Sequence, residues 1–282
     1  MTKTIAALLS ATVLIFSGCG SSTGPEVAKT GYEGKKINTY LQGLHVDVDT
    51  AKSKLEAAGF EIVATYTPVK GGTTVIFTNS ELKAEAAKPK RAQAAILRLF
   101  IDDKEKTISF NNPVYFGKAY MQGEYNHAVF NAQLEKINAA FPDLKPSVDV
   151  WDFDALATYH FMVSMPYFED TDLLGEGTNE ELLAKANAYK KGKLKIFQMK
   201  LSDNSYLLGY ELGSRTSKFT SKIGRANAGL LPWTIVIEDG KATALSAKYH
   251  IAISYPLLDM SGFMGIMTVP GAVVNDLQKT FK

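Results

Sequence analysis

The chain has 282 residues, 46% of them hydrophobic and 21% charged, with 31 basic against 29 acidic side chains for a formal charge of +2. That composition supports a sizeable packed core and excludes a disordered polyelectrolyte. It also argues against nucleic acid as a partner: the basic stretch Lys83, Lys88, Lys90 and Arg91 is interspersed with Glu81 and Glu85 and reads as a solvated helix or loop surface.

At the N-terminus Lys3 precedes an apolar run over residues 5–16, then Ser17-Gly18 and Cys19, the only cysteine. A short positive region, an apolar core and small residues before a cut make a signal peptide. With Cys19 after Ser17-Gly18 the arrangement resembles a bacterial lipoprotein signal, Phe16 standing where such signals usually carry an aliphatic residue. The resemblance implies that residues 1–18 are removed and that Cys19 carries the lipid; cleavage to a soluble secreted protein is the alternative. No apolar run reaches the ~20 residues of a membrane span, so lipid is the expected membrane attachment. Gly20-Ser21-Ser22-Thr23-Gly24-Pro25 has almost nothing to bury, and residues 19–34 read as a flexible tether. Gly20 rather than Asp follows Cys19, which by resemblance to Gram-negative lipoproteins implies the outer membrane, facing the periplasm. A lipidated Cys19 leaves no thiol for a disulfide, a metal-thiolate site or a nucleophile.

Residues 35–147 are expected to form a first α/β unit. Thr39-Tyr40 opens a half-buried strand. In Leu44-His45-Val46-Asp47-Val48-Asp49 a period of two places His45, Asp47 and Asp49 on one face, a mixed N/O set that a divalent metal accepts. Capping of the next helix by Asp47 or Asp49 accounts for the acids without metal. That helix covers about residues 49–58, with Ala51, Leu55 and Ala58 at helical spacing and Gly59 as its terminator. Strands at 60–66 and 73–78 flank a turn at Lys70-Gly71-Gly72. A long polar connection leads to Leu97-Arg98-Leu99-Phe100-Ile101-Asp102-Asp103, an apolar strand ending in two acids. A turn at 104–106, a strand at 107–110 and a helix running to about Phe141 complete the unit.

Residues 148–156 form a linker containing Trp151-Asp152-Phe153-Asp154, and residues 157–282 repeat the same order. Thr158-Tyr159 opens a strand, and His160 and His250 also fall on expected strands. An insertion over 169–177 precedes Thr178, which forms a capping box with Glu181; the helix continues to Tyr189 and Gly192 ends it. Strands at 194–201 and 205–210 flank Asp203-Asn204. Trp233-Thr234-Ile235-Val236-Ile237-Glu238-Asp239 matches the acid-terminated strand of the first copy, and Gly240-Lys241 turns into a strand at 242–247. Met260, Met264 and Met267 have i, i+4, i+7 spacing, which suits either soft ligands for Cu(I) or an apolar core stripe. Tyr159, Phe161, Tyr167 and Phe168 either line a cleft between the copies or glue them together.

Ser109-Phe110-Asn111-Asn112-Pro113-Val114-Tyr115, after a strand, an acidic turn and a second strand, resembles the closing motif of the bacterial family known as domain of unknown function 302. Lys54-Leu55-Glu56-Ala57-Ala58-Gly59-Phe60 is similar to that family's helix and Gly-Phe exit. Val75-Ile76-Phe77-Thr78-Asn79 falls where the family has Phe-Gly-Asn-Pro, with Thr78 and Ser80 replacing its Gly and Pro. The second copy keeps Leu231-Pro232 but has Ala247-Lys248-Tyr249 in place of the Asn-Asn-Pro turn. The resemblance implies an α/β fold and no established activity. At the strand ends Asn79, Asn111 and Asn112 are candidate ligand-binding amides, turn formation being the alternative. No glycine-rich phosphate loop, Gly-x-Ser-x-Gly elbow or His-Glu-x-x-His motif is present in the sequence.

The expected architecture is therefore α/β of the α+β type: two repeated small domains, each a mixed or antiparallel sheet with helices packed on it, hiding surface from water as a pseudo-dimer. The expected function is that of a lipid-anchored periplasmic binding or interaction protein, without catalysis or cofactor, whose partners are the membrane through its lipid and a small ligand or an envelope protein. The alternative is a metal-handling protein or enzyme using His45, Asp47 and Asp49 or the Met260 cluster.

Overall fold

The computed structural model describes residues 30–282; the expected signal peptide, Cys19 and residues 20–29 of the expected tether lie outside them. The fold is α+β, with antiparallel sheets and helices packed against them. In the first half the order is β1 (Lys36–Asn38), β2 (Tyr40–Leu44), α1 (Val48–Ala57), β3 (Glu61–Val69), β4 (Gly72–Thr78), α2 (Ser80–Ala86), β5 (Leu97–Asp102), β6 (Thr107–Asn111), α3 (Pro113–Met121), α4 (His127–Ala140) and β7 (Lys145–Pro146). The larger sheet runs β3-β4-β5-β6-β2-β7. Asp47 caps α1 by accepting from the Thr50 N–H, and Gly59 leaves the helix at φ +85, a backbone conformation that glycine adopts without a Cβ penalty. The expected polar connection before β5 is partly helical: Asn79 caps α2, which buries Leu82 and Ala86.

β8 (Val150–Asp152) returns to pair with β1, Ile37 opposite Trp151, and fastens the linker to the start of the described chain. The second half then runs β9 (Thr171–Glu176), α5 (Asn179–Ala188), β10 (Lys195–Lys200), β11 (Ser205–Tyr210), α6 (Thr220–Ile223), β12 (Trp233–Glu238), β13 (Lys241–Leu245), α7 (Ala247–Ser254), α8 (Met260–Gly265) and α9 (Val269–Gln278). Its sheet order is β10-β11-β12-β13-β9, which matches β3-β4-β5-β6-β2 strand for strand.

Two assignments in this half are corrected. The first strand is β9, inside the segment read as an insertion, while residues 156–158 form a single 3-10 turn. Glu169, Asp170 and Asp172 gave β9 the look of a loop, yet it needs only Leu174 buried because it lies at the sheet edge. His250 lies on α7 rather than a strand, and His160 lies in a loop; every residue of α7 except Lys248 is buried, and a fully buried helix carries no period that separates it from a strand.

On β5 alternate residues face opposite ways. Leu97, Leu99 and Ile101 join Phe77 and Phe110 in a core where Phe60, Phe77, Phe110 and Phe141 form a chain of ring contacts with centroids 4.9–6.1 Å apart. Arg98, Phe100 and Asp102 face the second half. There the turn Arg225–Leu230 approaches so closely that a Cβ on Gly229 would lie 2.8 Å from Phe100 Cβ. Arg225 Nε donates to buried Asp102 at 2.8 Å, and its Nη2 donates to the carbonyls of Lys70 and Gly71.

The contact in the other direction uses equivalent positions. On β12 Glu238 accepts from the Lys90 N–H at 3.1 Å, and Thr234 donates to Gln93 Oε1 at 2.6 Å. The connection ahead of the third strand in each sheet order thus crosses to the other half, and the acid at the strand end receives it. Arg91 pairs with Glu169 at 2.8 Å across the same boundary. The aromatic residues near the linker are chiefly glue: Phe153, Tyr159 and Phe168 are buried, Trp151 packs edge-on against Tyr159, and Phe168 stacks near Tyr120.

Asp102 is nearly inaccessible whereas Arg225 is partly exposed, so Arg225→Met leaves a buried carboxylate supported only by the Lys104 and Glu105 N–H groups. Urea unfolding is expected to show a loss of about 3 kcal/mol, and a loss below about 1 kcal/mol would show that this pair does not hold the halves together.

Candidate functional site

The boundary between the halves holds two hollows, one over each sheet. The first is a cavity of about 20 Å³ lined by Tyr40, Arg98, Phe100, Ser109 and Asn111 of the first sheet, Phe116 and Tyr120 of α3, Ala226, Gly229 and Leu230 of the crossing turn, and His250 and Ser254 of α7. That volume accommodates about one water-sized particle. Arg98 is buried without a carboxylate partner: its Nη2 reaches only the Pro232 carbonyl, at 3.4 Å, and its Nε has no partner among the described residues. Burial lowers the Arg98 pKa, but a guanidinium keeps its proton in proteins.

The polar groups around Arg98 are also incompletely matched. His250 Nδ1 shares a 3.2 Å hydrogen bond with the Tyr120 hydroxyl, while its Nε2 has no partner among the described residues. The same is true of Ser254 Oγ. Tyr40 donates to the Ser254 carbonyl at 2.8 Å and Tyr255 to the Asn227 carbonyl at 2.5 Å, so these hydroxyl protons are directed at backbone rather than at the cavity. Burial, with Arg98 beside it, pushes His250 down to about 3, keeping the imidazole neutral.

The second hollow, about 410 Å³, lies over the other sheet. Lys90 and Gln93 border it from the first half; Phe168, Glu169, Val236, Glu238 and Thr243 border it from the second. Val236 occupies the position matching Phe100, and the smaller side chain leaves more room. Burial raises the Glu238 carboxyl above its ordinary range.

The structure disperses most of the residues singled out in the sequence. His45 Nε2 lies 2.8 Å from Asp103, Asp47 caps α1, and Asp49 faces solvent near Lys52. These three do not converge, and no group of three or more His, Cys, Asp or Glu side chains suited to a metal occurs among the described residues. Asn79 accepts from the Leu82 N–H and donates to Gln133. Asn112 accepts from the Val114 N–H and donates to the Asn38 carbonyl. Both cap helices, as turn chemistry predicts. Asn111 holds the Arg98 backbone N–H at 2.6 Å and does line the smaller cavity.

The methionines depart furthest from expectation. Met260, Met264 and Met267 are 43%, 55% and 63% exposed, so they form no core stripe. α8 is only six residues long, ends before Met267 and buries Phe263 instead.

Arg98 and His250 carry no motif in the sequence that marks them as ligand groups. The available signal was an arginine in the middle of the apolar run Leu97–Ile101 and a histidine within Tyr249–Ile253, both costly places for polar groups to be buried. No family model, curated protein or solved structure matches the chain.

A pH test follows from His250. An unfolded imidazole titrates near pH 6.5, well above the folded value of about 3, so between these limits the unfolded chain takes up a proton that the native state refuses. The His250 contribution to stability is complete above about pH 6.5 and declines as the pH falls toward 3. Lowering the pH from 7 to 5 is expected to remove about 2 kcal/mol through this residue. His250→Gln should lose correspondingly less in paired urea titrations; equal losses would contradict a buried neutral imidazole.

Proposed function

We propose that this chain is a lipid-anchored protein of the bacterial envelope, facing the periplasm from the outer membrane, that binds a small ligand in the open hollow between its halves and catalyses no reaction. The observation that carries the binding reading is the 410 Å³ hollow at the junction, within the size range of ligand pockets. Gln93 and Thr243 border it with hydrogen-bonding groups, Phe168 and Val236 with apolar surface, and Lys90 and Glu238 with opposite charge. A small molecule with one apolar face and a polar edge fits that lining. The matching strand orders of the two sheets support a duplicated α/β unit, in keeping with the resemblance to the domain of unknown function 302. An envelope protein docking over the same hollow would use the same groups.

The ligand part is tested by native mass spectrometry of protein extracted from envelopes in mild detergent. A non-covalent mass is expected on the wild-type chain and should be absent from Thr243→Trp, which fills the hollow. A bare chain in repeated preparations, or the same mass on both proteins, would refute binding there.

Anchoring is tested separately. Cys19→Ser should prevent lipoprotein processing and shift the protein from the membrane fraction to the soluble one. Unchanged processing and membrane association would refute lipidation at Cys19.

A further inference from the structure

The smaller cavity has a composition that neither sheet packing nor the open hollow explains. Among its lining residues Arg98, His250 and Ser254 each carry a buried polar atom without a partner among the described residues. Arg98 Nε is a donor. In the tautomer where the Tyr120 hydroxyl donates to His250 Nδ1, the Nε2 carries the ring proton and is a donor as well. Ser254 Oγ–H is a third. Arg98, His250 and Ser254 border the same small space, so a buried positive charge without an acid meets two further residues that each carry an unmatched polar atom.

A carboxylate would ordinarily answer such a charge, and elsewhere at this boundary one does: Arg225 has Asp102 and Arg91 has Glu169. Arg98 has no acid within ion-pair distance among the described residues. The ionisable neighbours in electrostatic reach are the tyrosines at 40, 120 and 255, whose hydroxyls stay protonated and neutral because burial raises each of them. An unpaired buried cation costs several kcal/mol. A neutral water would satisfy hydrogen bonds but leave that charge unmatched.

We propose that the Arg98–His250–Ser254 cavity is a binding site for a single monatomic anion of chloride size. The volume of about 20 Å³ suits one small particle. The anion would take the Arg98 Nε–H as its charge-assisted donor, with His250 and Ser254 completing a shell of donors. It would join the halves, since Arg98 belongs to β5 and the other two to α7. The inference depends neither on the lipid anchor nor on what enters the larger hollow.

The full mature chain is tested in two ways. Melting is compared in sodium chloride and in sodium gluconate at equal ionic strength, about 0.15 M. Chloride should raise Tm by roughly 3 °C if its concentration is about tenfold above Kd, and Arg98→Gln should abolish the difference. Crystals soaked in sodium bromide should show an anomalous peak within about 3.5 Å of Arg98 Nε. If Arg98→Gln does not fold, Ser254→Ala carries the melting comparison and should weaken the chloride effect, while the bromide experiment uses the wild-type chain alone. Equal Tm in both salts, a chloride effect unchanged in the variant, or no bromide density at Arg98 would overturn the proposal.

Discussion

The structure depends on keeping both faces of its central strands dry. β5 is buried along its whole length, which one layer of helices cannot achieve. Its Leu97, Leu99 and Ile101 face is covered from within the first half, and the opposite face, with Phe100, is covered by a turn from the second. β12 is treated in the same way by residues 90–95. A single half would leave a sheet face of side chains such as Phe100 and Val236 in water, each worth about 2 kcal/mol or more to bury. The halves are in that sense each other's missing layer.

Burying both faces also shapes the chemistry of the boundary. A dry face that carries Arg98, Asp102, Thr234 and Glu238 requires partners for each of them, and three obtain theirs from the opposite half: Asp102 from Arg225, Thr234 from Gln93, and Glu238 from Lys90. Arg98 does not obtain an acid in this way; it reaches only the Pro232 carbonyl of the opposite half. The neutral state of His250 belongs to the same setting, because a second positive charge beside Arg98 in a low-dielectric site is strongly disfavoured. The two layers meet imperfectly in two places: a hollow left open where Val236 stands, and a small polar cavity where Phe100 nearly closes the equivalent space.

Much of the backbone was legible from local chemistry. The Thr178–Glu181 capping box is present as read, Asp47 caps the first helix, and the acid-terminated strands at Leu97 and Trp233 pair within their sheets. Legibility failed where tertiary burial replaced pattern. β9 was hidden by acidic residues tolerated at a sheet edge, and α7 by an apolar run lacking any period. The methionine spacing at 260, 264 and 267 suggested a stripe, but one turn of a six-residue helix turns Phe263, not methionine, inward. Site residues were harder still. Asparagine at a strand end, as at Asn111, suggests chemistry by itself, whereas the setting of Arg98 arises from what the other half fails to place beside it, a property of two distant segments and of neither alone.

Two halves that cover each other's sheet faces should unfold as one cooperative unit. Native-state hydrogen exchange on the full chain measures this directly, through the backbone amides of Leu99 and Ile101 on β5 and of Ile235 and Ile237 on β12. These amides are expected to open with the same free energy, equal to that of global unfolding. If either strand exchanged through a separate opening well below the global value while the other remained protected, the halves would be independent domains rather than one cooperative unit.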